Sequence, residues 1–238
     1  MTRRTFSARS SALCLLGLVT LSACRPVLHR QVSGRVLALE GTARGTIDGK
    51  TVALTSVAFV RPGETITSSE TTRLDLMLLP GVLVEIAGDT EVEISQLRLV
   101  RDGDETIHPM IARNARVRLR RGTVIISVGR AQTDSFLLVE TPAGTLVAGP
   151  ACIFKVAVSD NKAMILCVRG ASGVQADSPK KARKIPAGNF AALPLTAAGP
   201  RAVAGAGAEV QAEVRALFDM QKRLLRIERE HGSDFKPW

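Results

Sequence analysis

The chain has 238 residues and a formal net charge of +10 at pH 7, with 32 Lys and Arg against 22 Asp and Glu. Such a basic chain favours anionic neighbours, and lipid headgroups or cell-wall polymers meet that requirement. We exclude nucleic acid as the expected partner, because Tyr is absent and the single Trp leaves few rings for stacking on bases.

The first residues have the layout of a signal peptide. Three arginines within 1–9 precede an apolar run at 12–21 that ends in small residues. A membrane-spanning anchor needs about 20 apolar residues, which is longer than this run. We therefore predict that 1–23 is removed. Residues 2–6 also resemble a twin-arginine export signal, and both export routes stay open.

Leu21-Ser22-Ala23-Cys24 resembles a bacterial lipobox, in which the cysteine sulfur takes a diacylglycerol. Two or three acyl chains would make the attachment effectively permanent. The alternative is an ordinary secretory signal that a cysteine follows by chance. Arg25 stands where an Asp would resemble an inner-membrane retention signal. The sequence therefore predicts an outer-membrane lipoprotein that faces the periplasm, anchored through Cys24 and a tether at 24–32.

A mainly β domain is predicted over 33–195. Short runs with alternating apolar residues fill this region, each bounded by Gly, Pro, Asn or Asp. Runs at 74–78 and 82–86 flank Pro80-Gly81 and predict two strands with a tight turn, and Arg121-Gly122 is interpreted in the same way. Many short rungs around one core fit a solenoid, a roll or a sandwich, and we favour a solenoid-like roll of short strands.

A linker and one C-terminal amphipathic helix follow the β domain. Small residues interrupt the strand pattern at 196–207, and 208–238 is predicted to hold the helix and a tail. Val210, Leu217 and Leu224 recur every seven residues on one side of that helix. This spacing allows pairing with a partner helix, but we favour docking onto the open end of the chain's own β domain.

The β region resembles the FecR domain family, a periplasmic β module of sigma-factor regulators and other envelope proteins. The likeness depends on the order of several segments, namely GETITS at 63–68, TRLDL at 72–76, LRRGTV at 119–124, VETPAGT at 139–145 and IPAGNF at 185–190. The family's regulators also carry a cytoplasmic sigma-factor-binding segment and a membrane helix, and neither is recognised here. The resemblance therefore implies a fold and a binding role, with an accessory sensor or regulator as the alternative.

The chain departs from the family pattern after the segment at 139–145. The family usually carries R-G-T-x-F, whereas 148–154 reads AGPACIF. The arginine is missing, and Pro150 removes a backbone donor from any strand pairing at that point. Contacts that the family makes through this loop are therefore not carried over.

A row of arginines is the main candidate binding surface. Arg116, Arg118 and Arg120 alternate with apolar residues, so on a strand they would share one exposed face. Like charges on one face repel unless an anion lies over them, which favours lipid phosphate or cell-wall carboxylates as partners. The alternative is a solvated face in which Glu91 and Glu93 of a neighbouring strand balance the arginines.

Cysteines offer one candidate disulfide. Cys14 leaves with the signal peptide and Cys24 is predicted to carry lipid, so Cys152 and Cys167 remain. A hairpin around 160–161 would make them diagonal neighbours on one face, near the limit of bridging geometry. An exported compartment permits the bond, and two buried free thiols are the alternative.

No reaction centre is recognised in the sequence. His29, His108 and His231 lie far apart without metal-ligand spacing, and we expect no metal and no cofactor. The basic cluster at 180–184 is interpreted as a solvated hairpin tip. We therefore predict a non-catalytic, membrane-anchored module that binds an envelope protein or a cell-wall polymer, with its oligomeric state open.

Overall fold

The computed structural model describes residues 27–102, 110–129, 136–175, 183–195, 199–203 and 207–231. Within these ranges the chain forms eighteen strands and one helix, and 63% of it is strand. The strands are β1 (Val27–Gln31), β2 (Gly34–Glu40), β3 (Ala43–Ile47), β4 (Lys50–Ala53), β5 (Phe59–Val60), β6 (Glu64–Ser68), β7 (Arg73–Leu79), β8 (Val82–Ile86), β9 (Glu91–Asp102), β10 (Met110–Val128), β11 (Phe136–Thr141), β12 (Gly144–Ala148), β13 (Cys152–Ser159), β14 (Lys162–Arg169), β15 (Ala171–Gln175), β16 (Arg183–Pro186), β17 (Asn189–Leu193) and β18 (Arg201–Ala202). The helix is α1 (Ala208–His231). The predicted mainly β fold with one C-terminal helix is confirmed.

The strands form two sheets. Sheet A has the order β4-β3-β6-β9-β10-β11-β12-β15-β16, and β1 pairs with β9 beyond the end of β6. Sheet B has the order β5-β2-β7-β8-β10-β13-β14-β17-β18. Neither order closes on itself. The pair β10–β11 is parallel and the other described pairs are antiparallel.

Strand β10 belongs to both sheets. Its first half pairs with β9 in sheet A, and its second half pairs with β8 and β13 in sheet B. The change of sheet occurs at an irregularity beside Gly122, which has a φ of 88°. A Cβ at this position would lie 2.4 Å from Thr90 Oγ1, so only glycine fits. The predicted turn at Arg121-Gly122 is therefore wrong, because the chain bends there without reversing.

The core lies between the two sheets. Inward-facing apolar side chains of both sheets form one buried cluster, which includes Ile66, Leu74, Leu97, Val117, Val124 and Phe154. One core between two facing sheets is a sandwich arrangement. The solenoid-like roll is not confirmed, since a solenoid would stack successive rungs in parallel and the described pairs are almost all antiparallel.

Two predicted hairpins are present. Strands β7 and β8 pair across Pro80-Gly81, with Gly81 at a φ of 78°. Strands β13 and β14 pair across Asp160 and Asn161, whose φ values of 50° and 58° suit a tight two-residue hairpin. Part of the predicted linker is also structured, because β18 pairs with β17 and Val203 is buried.

Helix α1 packs across the outer face of sheet B. Leu217 and Met220 of the helix join Met77, Leu83 and Ile153 of the sheet in a second buried apolar cluster. Docking of the helix onto its own β body is therefore confirmed, although the contact lies on the outer face and not at an open end. None of the described helical segments has the length and apolar content that a bilayer crossing needs.

Candidate functional site

The outer face of sheet A carries the predicted arginine row, which we call the charged face. It consists of Glu91 and Glu93 on β9, Arg116, Arg118 and Arg120 on β10, and Glu140 on β11. Residues between them on the same strands, such as Val117 and Leu119, point into the core. The pairing register places Arg118 directly between Glu93 and Glu140. Acids and bases therefore alternate across three adjacent strands.

The arginines of the charged face are exposed but mostly paired. Arg118 reaches Glu93 and Glu140, each at 3.1 Å, and Arg120 reaches Glu91 and Glu93, each at 3.2 Å. The carboxylates of Glu93 and Glu140 raise the pKa of Arg118 above its ordinary value. This geometry agrees with the alternative that acids from a neighbouring strand balance the row.

One carboxylate of the charged face was not expected from the sequence. Glu140 comes from β11, which lies beside β10 in the parallel pair. Its oxygens lie 3.1 Å from Arg118 Nη2 and 3.5 Å from Arg116 Nε. Nothing in the local pattern around Glu140 indicates which strand β11 joins, so the sequence carried no signal for this contact.

The outer face of sheet B holds a buried charge cluster beneath the helix. Arg223 of α1 donates to Asp75 Oδ1 at 2.8 Å and also to Glu85 Oε2. Asp75 is only 2% exposed, and burial raises its pKa to about 6 against the opposing effect of Arg223. Arg223 Nε is buried without a hydrogen-bond partner among the described residues. This end of the helix is therefore held by desolvated charge.

A second ion pair lies nearer the start of the helix, between Lys155 of β13 and Glu213. The two ion-pair positions flank the apolar contact of Leu217 and Met220. A cavity of about 590 Å³ opens between helix and sheet at this level, and its lining includes Arg73, Glu85, Lys155, Glu213 and Arg223. The pairs fix the register of the helix along the sheet.

The two candidate disulfide cysteines are not joined by a disulfide in this structure, and both are buried in the core. Cys167 lies opposite Phe154, so Cys152 is its diagonal neighbour on the same face, as the hairpin predicted. Cys152 Sγ donates to Gly149 O at 3.1 Å. Burial and the neighbouring Cys167 raise the pKa of Cys152 to about 12, so its reactive thiolate is scarce at neutral pH.

Several predicted features lie outside the described residues. These are Cys24, His108, most of the basic cluster at 180–184, and the side chains of His29 and His231. Arg183 and Lys184, the described part of that cluster, are exposed on β16. Across the described ranges, no group of three or more His, Cys, Asp or Glu could hold a metal ion.

Among known proteins, the chain is similar in structure to two crystal structures and to none in sequence. No protein-family model matches the chain, and no curated protein is significantly similar in sequence. Two crystal structures of a provisionally assigned anti-sigma factor from Parabacteroides distasonis ATCC 8503, at 1.65 and 2.50 Å resolution, match with 13% sequence identity and a TM-score of 0.41. The match covers 58% of this chain and 59% of theirs. A likeness of this size carries no argument about shared function.

Proposed function

We propose that the chain is a non-catalytic lipoprotein of the cell envelope whose FecR-like β body binds another envelope component. Residues 1–23 would be removed, and Cys24 would carry the acyl chains at the outer membrane, facing the periplasm. The order of the five family-like segments supports the FecR-like assignment. The lipobox at 21–24 supports the anchor.

The charged face is the observation that carries the proposal. It is exposed, whereas the helix covers much of the opposite outer face, so sheet A presents the open surface of the sandwich. Glu91 and Glu93 of β9 lie beside Arg118 and Arg120 of β10, so this face offers both signs of charge. A partner with complementary charges of both signs can exchange these exposed pairs for intermolecular ones at small cost. A protein partner meets this requirement better than a uniformly anionic polymer.

Site-specific photocrosslinking in intact cells tests the binding role. A photoreactive residue at Thr67, on the exposed outer side of β6, should yield a discrete crosslinked species. The same residue at Phe218, on the outward side of α1, is the matched control and should yield none. Arg118→Glu should weaken the Thr67 crosslink. Crosslinks from Phe218 alone would contradict the assignment of the charged face.

The anchor has its own test. Cys24→Ser should move the chain from the membrane fraction to the soluble fraction, because acyl chains would supply the attachment. Ser22→Thr leaves the sulfur in place and serves as the control. A Cys24→Ser chain that stays in the membrane fraction would contradict lipid attachment at this residue.

A second candidate function is an accessory sensor or regulator, which the docked helix favours. A helix held by two ion-pair positions and one apolar contact is a separable element of the kind that switches use. If the chain works in this way, Leu217→Asp should release the helix and add crosslinks from the outer face of sheet B. Unchanged crosslinks would remove support for this role.

A further inference from the structure

The charged face is not uniform along its length. At one end Arg120 and Arg121 are matched by Glu91 and Glu93. At the other end Arg98 makes no ion pair with any described residue. Arg116 has only a 3.5 Å contact from Nε to Glu140. Positive charge is therefore in excess at the Arg98 end.

The uncompensated end contains a cavity of about 270 Å³ lined by Gln31, Ser95, Gln96, Leu97, Arg98, Arg116 and Arg118. It lies where the pairing of β9 with β10 slips by one residue, so Ser95 is the extra residue of a bulge. Bulges redirect side chains and often lie beside binding sites. Here the slip places Ser95 and Gln96 together on the outer side, next to Arg116.

The side chains around this cavity are mainly hydrogen-bond donors that are not used elsewhere. The side chains of Arg98, Arg116, Gln31 and Gln96 make no hydrogen bond to the described part of the chain. Ser95 Oγ contacts Glu93 at 3.3 Å, and Arg118 is held by Glu93 and Glu140. Two guanidinium groups and two amides therefore face the cavity with free N–H groups. A compact anion with several acceptor oxygens complements this arrangement.

We propose that this bulge pocket binds a phosphoryl group. A phosphoryl group presents acceptor oxygens in several directions, whereas the two oxygens of a carboxylate lie in one plane. The donors come from three strands, with Gln31 on β1, Gln96 and Arg98 on β9, and Arg116 on β10. Donors that approach from several sides suit the tetrahedral group.

The position of Gln31 favours a membrane phospholipid as the source of the phosphoryl group. This step rests on the proposed lipid anchor at Cys24. Gln31 is seven positions after Cys24 in the chain, so the pocket can lie no farther than about 25 Å from the acylated residue. Headgroup phosphates of the bilayer that holds the anchor would be within reach. Free phosphate has the same chemistry and is the other source.

The first arm of the test uses inorganic phosphate and the purified full chain at low ionic strength. Side-chain NMR signals of the arginines should shift in a saturable manner. Arg98→Ala and Arg116→Ala should each weaken the affinity about tenfold, because each removes hydrogen bonds from a charged donor. Arg120→Ala, on the same strand and face, should change it by less than about twofold. Acetate at equal concentration should bind more weakly than phosphate.

The second arm identifies the source. The Cys24→Ser chain, which lacks the acyl attachment, is mixed with vesicles of phosphatidylglycerol in phosphatidylcholine. Binding that falls about tenfold with Arg116→Ala, and far less with Arg120→Ala, supports the lipid headgroup. Phosphate binding without vesicle binding supports the free anion.

Two results would overturn the proposal. One is the absence of saturable phosphate binding, and the other is an equal loss in Arg116→Ala and Arg120→Ala, which would indicate diffuse attraction. Neither arm depends on the crosslinked partner or on acylation. Failure of the pocket is therefore distinguishable from failure of the proposed envelope role.

Discussion

The outer faces of the two sheets differ in what covers them. On sheet A the charged face is open to solvent, and its Arg118 and Arg120 remain about half exposed. On sheet B the outward residues Met77 and Leu83 are 1% exposed, because α1 lies over them. One outer face is therefore open to solvent, and the other is covered by the helix.

Ion pairs on the two outer faces should therefore contribute differently to stability and to binding. On the charged face the pairs lie in water, where they contribute little to stability and are free to exchange with a partner. Beneath the helix, Arg223, Asp75 and Glu85 are desolvated, and the removal of one member leaves the others uncompensated. Stability should therefore depend on the covered face, and binding should depend on the open one.

The largest effect is expected from opening the covered face. Leu217→Asp places a charge in the apolar contact between α1 and sheet B, where Leu217 is 1% exposed. We expect a loss of about 5 kcal/mol in the free energy of unfolding, or complete release of the helix. Urea denaturation followed by circular dichroism measures it. Phe218→Asp, one residue along and 39% exposed, should change stability by less than about 1 kcal/mol. Equal losses in the two variants would refute the docking.

The next largest effect compares one substitution on the two faces. Arg223→Met removes the counter-charge of Asp75 and Glu85, and we expect a loss of about 4 kcal/mol. Arg118→Met removes two exposed pairs and should leave the unfolding midpoint unchanged. Parallel urea titrations at pH 7 give both values. A larger loss of stability from Arg118→Met than from Arg223→Met would contradict the claim that stability depends on the covered face.

The pH dependence of folding stability should report the burial of Asp75 on the covered face. Its pKa rises from 3.8 to about 6 on folding, so the folded chain holds this proton more tightly than the unfolded chain. The stabilisation is therefore fully present below pH 3.8 and is lost as the pH rises through about 6. Relative to Asp75→Asn, the parent chain should lose about 2 kcal/mol in the free energy of unfolding between pH 4 and 7.

Asp219→Asn is the control for this pH dependence, because the Asp219 side chain is 74% exposed on the same helix. Its curve should run parallel to that of the parent chain. If Asp75→Asn also ran parallel to the parent, the carboxylate of Asp75 would titrate as in the unfolded chain. The cluster would then not be desolvated.

The smallest effect is expected from a neutralised carboxylate on the charged face. Glu93→Gln should leave the unfolding midpoint within error, since the ion pairs that it breaks are with exposed arginines. It should nevertheless raise phosphate affinity at the bulge pocket, because it removes a negative charge beside Ser95. NMR titration with inorganic phosphate measures the change. Weaker phosphate binding in Glu93→Gln would contradict this electrostatic account.

Local sequence patterns predicted the elements that depend on neighbouring residues. Alternation around Pro80-Gly81 gave the β7–β8 hairpin, Asp160-Asn161 gave the β13–β14 hairpin, and the helical period gave α1. The same reasoning failed at Gly122, where alternation on both sides suggested a turn. A bend that passes a strand from one sheet to the other has the same local residues as a turn, so only the packing against Thr90 distinguishes them.

The candidate site was predictable only where it depends on local sequence patterns. Alternation identified the arginines of the charged face and Glu91 and Glu93 as candidate neighbours. Glu140 and the pocket at Ser95 depend on strand order and on a one-residue slip, which the sequence does not encode locally. Asp75 did carry a signal, because an acid between Leu74 and Leu76 in an otherwise apolar strand implies a buried counter-charge. Arg223 could not be named without the docked helix.

Thiol labelling tests the contrast between the two faces most directly. Cysteines introduced at Thr67, on the open face, and at Leu83, under the helix, are compared for maleimide reactivity in the folded full chain. Labelling is counted above the background of buried Cys152 and Cys167. The account predicts rapid labelling at 67 and protection at 83 by at least about tenfold, lost when Leu217→Asp is added. Equal labelling at both positions without that substitution would contradict a covered sheet B and an open sheet A.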